Sequence, residues 1–318
     1  MSRSGLRLKR IQQALGAWFR SHGRELPWRR TRDPYHILVS EIMLQQTQVD
    51  RVLPKYRAFL ERFPTVYDLA TAAPGDVIRA WAGLGYNRRA LNLQRTAKTV
   101  AAEYQGRFPQ TPEELSRLPG IGPYTAGAVA CFAFERDVAF MDTNIRRVIG
   151  RVFVGPDGNP PWGERELLEQ AKAAVPAGDG YQWNQAVMEL GALVCTAARP
   201  RCTICPIRAD CRAYAAWCKA DENIFQPELN APRTMRAVAE RQAPYATSNR
   251  FFRGRIVALL RDLPPGTAAP LCELGPQLKD DWNDDELPWL ENIVQTLAAE
   301  GLLVLEHVTG GSPAVRLP

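Results

Sequence analysis

Three groups of residues in this chain have types and spacings that can do chemistry. Four cysteines, Cys195, Cys202, Cys205 and Cys211, fall within seventeen residues, separated by six, two and five others. Thiolates bunched on one loop can wrap a single 4Fe-4S cubane, whereas structural zinc more often pairs two short CxxC knuckles across a longer gap; the spacing admits both metals and leans to the cluster. The second group is Leu118-Pro119-Gly120-Ile121-Gly122, lying between two helical runs. A turn this short calls for positive φ at its glycines. Pro123 suits the first position of the following helix, whose free N–H groups and dipole make a site for phosphate with no sequence preference. An ordinary glycine-containing helical hairpin is the plainer alternative.

The third group is a pair of acids in costly places. Asp142 follows directly on the apolar run Val138-Ala139-Phe140-Met141, and Glu41 interrupts the apolar run from Tyr35 to Val49. A buried carboxyl needs a partner or a purpose. Asn144 is placed to orient Asp142, and Arg146 and Arg147 are its partners or phosphate contacts. Asp142 also suits the N-cap of a helix through Ile145 and Val148, and a capping carboxylate at a cleft stays ionised. Glu41, Gln45 and Gln48 share one face of a helical wheel, which describes either a solvated stripe or a cleft-facing carboxylate flanked by amides.

The elements that position these groups are mostly helices. Apolar residues recur at helical spacing over 8–19, 35–49, 56–63, 66–73, 77–82, 90–104, 164–174 and 183–195. Pro112 to Arg117 and Pro123 to Phe134 flank the glycine turn. Ala126, Gly127, Ala128 and Ala130 allow the second of these to pack closely. Arg24 to Arg30 is an extended basic segment in which Trp28, beside Arg29, either stacks a base or plugs a packing gap. The loop Gly83-Leu84-Gly85-Tyr86-Asn87-Arg88-Arg89 carries an aromatic and two cations. It is either a wedge into a duplex or a turn capping two helices.

Residues 155–163 read as a loop and 220–245 as a polar linker. Beyond lie helices over 251–263 and 288–300 and a hairpin over 302–317 turning at Gly310-Gly311, which together suggest a small winged-helix-like α+β unit. Cys131, Cys218 and Cys272, outside the cysteine pattern, read as small core residues.

At 318 residues and 46% apolar content the chain can bury a large core in two or three domains. Its seven cysteines, an odd number, favour metal ligation in a reducing compartment over a disulfide frame. With no twenty-residue apolar run and no apolar core behind the basic start, neither a membrane span nor a secretory signal is expected. A cytoplasmic, nucleoid-associated monomer is. The net charge is +6, but residues 262–318 hold ten acids against Lys279 and Arg316, a net of −8 that leaves +14 on the rest. A basic body suits polyanion phosphates. The acidic tail would repel them, and it is expected to be separable, with a protein as its possible partner.

LPWR (26–29), SEIMLQQTQV (40–49), GLGY (83–86), LPGIGPYTAGAV (118–129), MDTNIRRV (141–148), NQAVMELGALVC (184–195) and the cysteine spacing together resemble the helix-hairpin-helix DNA glycosylases, most closely the adenine DNA glycosylases of the MutY type. The resemblance covers about residues 10 to 215. It implies an all-α, two-lobed catalytic body: a lobe over 28–134, a cluster lobe of 1–27 with 135–219, and a separate unit over 246–318. It implies Glu41 as general acid and Asp142 as the ionised carboxylate, oriented by Asn144. Tyr124 stands where strand-cleaving relatives carry a Lys, which implies a monofunctional enzyme. A base pocket of Trp28, Arg29, Leu44 and Gln185 follows. DNA contacts are implied at Gln46, Thr47, Leu84, Tyr86, Gly120, Gly122 and Arg201, and one 4Fe-4S cluster on the four cysteines.

The substrate implied is duplex DNA with adenine opposite 8-oxoguanine or guanine. A thymine or uracil glycosylase on the same scaffold, or a DNA-structure binder without chemistry, are the rivals. Thr143 stands where the family usually has Gly and Asn87 where it often has Tyr. The tail is shorter than the usual lesion-inspecting domain.

Overall fold

The computed structural model describes residues 3–157, 162–220, 248–306 and 312–318. Helix α1 (Arg3–His22) follows the expected period and buries Ile11 and Leu15. A 3-10 turn over Pro27–Arg29 leads to α2 (Pro34–Leu44), whose Pro34 supplies an N-terminus with preset φ. The expected helix to Val49 stops at Leu44. Gln46 takes φ 54 and Gln48 becomes the N-cap of α3 (Val49–Arg62), so Glu41, Gln45 and Gln48 do not form one helical stripe. Thr65 and Asp68 close a capping box at the start of α4 (Val66–Thr71), and Pro74 opens α5 (Pro74–Ala80). Asn87 precedes α6 (Arg88–Glu103).

The hairpin comprises α7 (Pro112–Leu115), shorter than its sequence suggested, and α8 (Pro123–Phe134), buried from Thr125 to Ala133. Then come α9 (Thr143–Ile149), which runs into a π-helical turn over Gly150–Val154, α10 (Glu164–Ala174) and α11 (Gly180–Leu193). Helix α12 (Arg212–Ala220) follows the cysteines and was not expected.

The C-terminal segment orders its elements as α13 (Asn249–Asp262), β1 (Ala269–Pro270), α14 (Leu271–Leu278), α15 (Leu287–Ala299), β2 (Val304–Glu306) and β3 (Ala314–Arg316). The sheet order is β1-β3-β2, antiparallel throughout, with Leu305 opposite Val315. This is a winged-helix-like arrangement, with β1 and α14 added to the elements legible in the sequence. The 220–245 linker and the Gly310-Gly311 turn fall outside the described residues.

The chain divides into two compact units. In one, residues 3–37, 110–116 and 122–220, helices α1 and α9 pack on α11, and α12 packs on the π-helical turn. In the other, residues 38–109, 117–121 and 248–318, α4 and α5 pack on α6. Its C-terminal segment shares the core of that unit. Ile78 and Leu91 share one apolar core with Phe252, Ile256, Leu260, Leu274 and Leu297. The expectation of independence rested on charge, and charge says nothing of a buried face.

Candidate active site

In the first unit, Asp142 sits at the N-cap of α9 and accepts from Ile145 N at 2.6 Å and from Asn144 Nδ2 at 3.3 Å. Burial pushes its carboxyl above the ordinary aspartate value, while the Ile145 and Asn144 N–H groups and the Arg147 charge oppose that shift without cancelling it. Arg147 holds Asn144 from behind: Nη2 donates to Asn144 Oδ1 and to Gly191 O, both at 2.7 Å, and Nε to Cys195 O at 2.7 Å. So the orienting amide is itself oriented, by a residue the sequence reading left undecided between partner and phosphate contact. The packing is tight, since a Cβ on Gly191 would stand 2.8 Å from Asn144 Cβ. Tyr124, in the first turn of α8, sets its ring edge-on to Phe140 with centroids 5.6 Å apart.

Trp28 is buried beside Arg29. All three Arg29 nitrogens donate to protein acceptors: Nε to Gln185 Oε1 at 2.8 Å, Nη1 to Arg24 O at 2.8 Å and Nη2 to Glu189 Oε2 at 2.9 Å. Arg24 completes a fork on the same Glu189 through Nε at 2.8 Å and Nη2 at 3.0 Å. Burial pushes the Glu189 carboxyl up, but the hydrogen bonds from Arg24 and Arg29 outweigh it and hold it at about 2. Glu189 and Arg24 were missed in the sequence. Their signal, an acid four residues after Gln185 on an otherwise apolar helix, is the same one that marked Glu41.

The four cysteines line one cavity, together with Arg151, Ile207, Tyr214 and Trp217. Burial raises the thiols of Cys202, to about 11, and Cys205, to about 12, and that of Cys211; the neighbouring cysteines raise all three further. Such thiols ionise together only around a positive body. Trp217 Nε1 faces no acceptor although it is buried, and Arg151 Nη1 lies 3.6 Å from Cys195 Sγ. Among the described residues, no set of three or more His, Cys, Asp or Glu side chains converges as ligands of one ion would. Four thiols around one cavity, with a buried Trp217 N–H aimed at no protein acceptor, are a donor set that suits a metal centre. Arg201 is exposed and donates to Leu193 O at 2.6 Å. Of the other cysteines Cys131 is core, but Cys272 is exposed and Cys218 only half-buried, which corrects their reading as core residues.

In the second unit, Glu41 is 4% exposed in α2, between Val39 and Met43, which excludes the solvated-stripe reading. Leu44 is half-buried, Gln46 exposed and Thr47 half-buried in the turn that follows. Leu84 is buried, while Tyr86, at φ 47, is 46% exposed. Arg250 of α13 lies over the Tyr86 ring, 4.6 Å from its centroid, and bonds its hydroxyl. Arg261 donates to Asn87 Oδ1 at 2.6 Å. Gly120 needs its glycine twice over, at φ 77 and with Asn92 Cβ 2.8 Å from where a Cβ would stand. Gly122 does not take positive φ as expected. It is extended at φ −86, with nothing within 4 Å of a Cβ, so its lack of a side chain opens space at the α8 N-terminus.

A helical body with this hairpin belongs to a defined class. The family model that matches, over residues 39–173, is that of the HhH-GPD superfamily base excision DNA repair proteins. A solved thermostable thymine-DNA glycosylase superposes with a TM-score of 0.63 at 31% identity, covering 68% of this chain and all of that one. A trapped endonuclease III–DNA intermediate, at 22% identity and a TM-score of 0.56, shares the fold. The adenine DNA glycosylase of Mycolicibacterium smegmatis is 42% identical over 80% of this chain and 82% of its own length. That of Homo sapiens is 42% identical over 63% of this chain and 38% of its own. The chain belongs to the adenine DNA glycosylase family.

Proposed function

We propose that this chain is a monofunctional DNA glycosylase of base excision repair, removing adenine mispaired with 8-oxoguanine or guanine from duplex DNA. The observation that carries the reading is the burial of Glu41 in a chain of this family. A carboxyl set in an apolar helix is placed to pass a proton to a base rather than to meet solvent. Adenine anion is a poor leaving group, so Glu41 protonates a ring nitrogen as the glycosidic bond breaks and its electron pair passes to the base. Asp142, charged, stabilises the oxocarbenium sugar until water adds at the anomeric carbon. Tyr124 offers no amine, so no Schiff base forms and no strand is cut.

Trp28 and Gln185 on one unit and Leu44 on the other would each meet the extruded base, with Arg29 acting through Gln185, whose carbonyl it fixes. Gln46, Thr47, Leu84 and Tyr86 meet the duplex where the base has left. Gly120, Gly122 and Arg201 hold phosphates. Cys195, Cys202, Cys205 and Cys211 would hold one 4Fe-4S cluster, with Trp217 Nε1 as a donor toward it; the cluster would cross-link the Arg199 to Arg212 loop and leave the reaction to the carboxylates. No described helix is long and apolar enough to cross a membrane.

Single-turnover assays on duplexes containing adenine opposite 8-oxoguanine or guanine, and thymine or uracil opposite guanine, test the reading. Free adenine without strand scission is expected. Release of thymine or uracil instead would replace it, and release of no base would leave a binding protein.

A further inference from the structure

Arg89 opens α6 with a half-buried guanidinium whose acceptors are all neutral. Nη1 donates to the carbonyls of Ile42 at 2.8 Å and Met43 at 3.1 Å in the last turn of α2, and to Gln45 O at 2.5 Å just beyond it. Nη2 donates to Thr47 Oγ1 at 3.2 Å and to the carbonyls of Leu84 at 3.1 Å and Gly85 at 3.3 Å. Nε is buried with no acceptor. Burial pushes the group down to about 10, partly opposed by Tyr86, so it is still a cation at neutral pH.

Holding a desolvated charge with oxygens alone is costly, and capping a helix C-terminus does not require it, since water or an exposed Lys can do that. What the fork adds is span. One end grips the turn after α2, the other the 83–86 loop. Each carries a non-glycine residue in the left-handed region, Gln46 at φ 54 and Tyr86 at φ 47, a conformation that persists only where the surroundings enforce it. Both side chains are exposed. The Arg89 carbon also lies 5.3 Å from the Tyr86 ring centroid and 5.7 Å from that of buried Trp81.

We propose that Arg89 is a positioning residue that locks the 45–48 turn and the 83–86 loop into one rigid element, so that Gln46 and Tyr86 act on DNA as a coupled pair. This rests on the reading that these two side chains meet the duplex. Arg89 touches no substrate. Its removal should loosen recognition of the gap and spare the bond-breaking step.

The test is a double-mutant cycle on the full chain, reading Kd for a short duplex with a stable abasic analogue opposite guanine. Gln46→Ala and Tyr86→Ala should each weaken binding by about tenfold, and together by clearly less than the product, because disturbing one partner already disturbs the other. In the Arg89→Lys background, where a single ammonium cannot reach both turns, the two losses should multiply. The single-turnover rate of Arg89→Lys at saturating enzyme should fall less than about threefold. Losses that multiply in the parent chain overturn the proposal alone. Single variants that leave Kd unchanged overturn it together with the reading beneath it.

Should Arg89→Lys fail to fold, hydrogen exchange on the parent chain decides. The Thr47 and Leu84 amides, bonded to Leu44 O and Trp81 O, should open with the same equilibrium constant to within about threefold. A gap beyond about tenfold shows two independent turns and overturns the proposal.

Discussion

A Cβ built on Gly127 would stand 2.6 Å from the Cβ of Phe140, so α8 can lie against the segment leading into Asp142 only because position 127 has no side chain. Gly127→Ala must push Phe140 away or distort α8. Overpacking of this kind costs about 1–3 kcal/mol, which thermal unfolding would show. Phe140 lies two residues before the Asp142 cap. The single-turnover rate should therefore fall more than duplex affinity does. A variant equally active and less stable would place Phe140 in packing only.

Asp142→Asn should separate stability from activity. The carboxyl's folded pKa is raised, so the stability it contributes is present below the unfolded value and is lost as pH rises through the folded one. At neutral pH its ionisation therefore opposes folding. Asn caps the helix as well as Asp does, so the variant should melt higher at pH 7, and the gain should vanish in acid. Base release should drop by about 10²-fold or more. In the parent chain the acid limb of the rate should lie above the ordinary aspartate range. Asn144→Ala removes an N–H that favours the anion and should move that limb higher still.

Glu189→Gln tests the opposite sign. Its carboxyl is held at about 2 against an ordinary 4.5, so the stability it contributes is complete above 4.5 and is lost as pH falls toward 2. Removing the charge leaves Arg29 buried without its carboxylate and should cost about 3 kcal/mol at pH 7, measured by urea unfolding. Between about pH 4.5 and 2 the variant should lose less stability than the parent. Parallel acid limbs would count against this assignment.

Truncation before Ser248 should lower the melting temperature by more than about 5 °C or leave the chain insoluble, because it uncovers Ile78 and Leu91. A soluble fragment with an unchanged melting temperature would mean that the shared core adds little.

Anaerobically purified protein should be yellow-brown with about four irons, and Cys202→Ser should lose both colour and loop order by circular dichroism. One zinc in a colourless protein would assign the cavity differently. Arg201→Ala should weaken binding to all duplexes alike and lower the salt slope by about one.

Much of this was legible in the sequence, because helical period and turn chemistry are local. Glu41 stood out as an acid inside an apolar helix, and Pro123 and Gly120 announced the hairpin. Where α2 ends was not legible: Val49 returns at helical spacing after four polar residues, and the carbonyls at the helix end are held by a cation from position 89, which periodicity does not register. The roles of Arg24 and Arg89 were missed, and that of Arg147 was left undecided, for one reason. An arginine reads as surface charge, and only the fold reveals that its partners are distant carbonyls and carboxylates. α14, with Pro276 inside it, defeated the pattern because an internal proline argues against a helix that tertiary packing nonetheless maintains.

The contacts of α13 bear on how inherited or laboratory variants should be interpreted. Arg250 and Arg261 lie 164 and 174 positions from their partners in the 86–87 segment. A missense change at either would be filed by position under a peripheral module and judged tolerable. Its phenotype should instead group with changes in the Tyr86 loop, and a scanning library scored by proximity in sequence would misplace both.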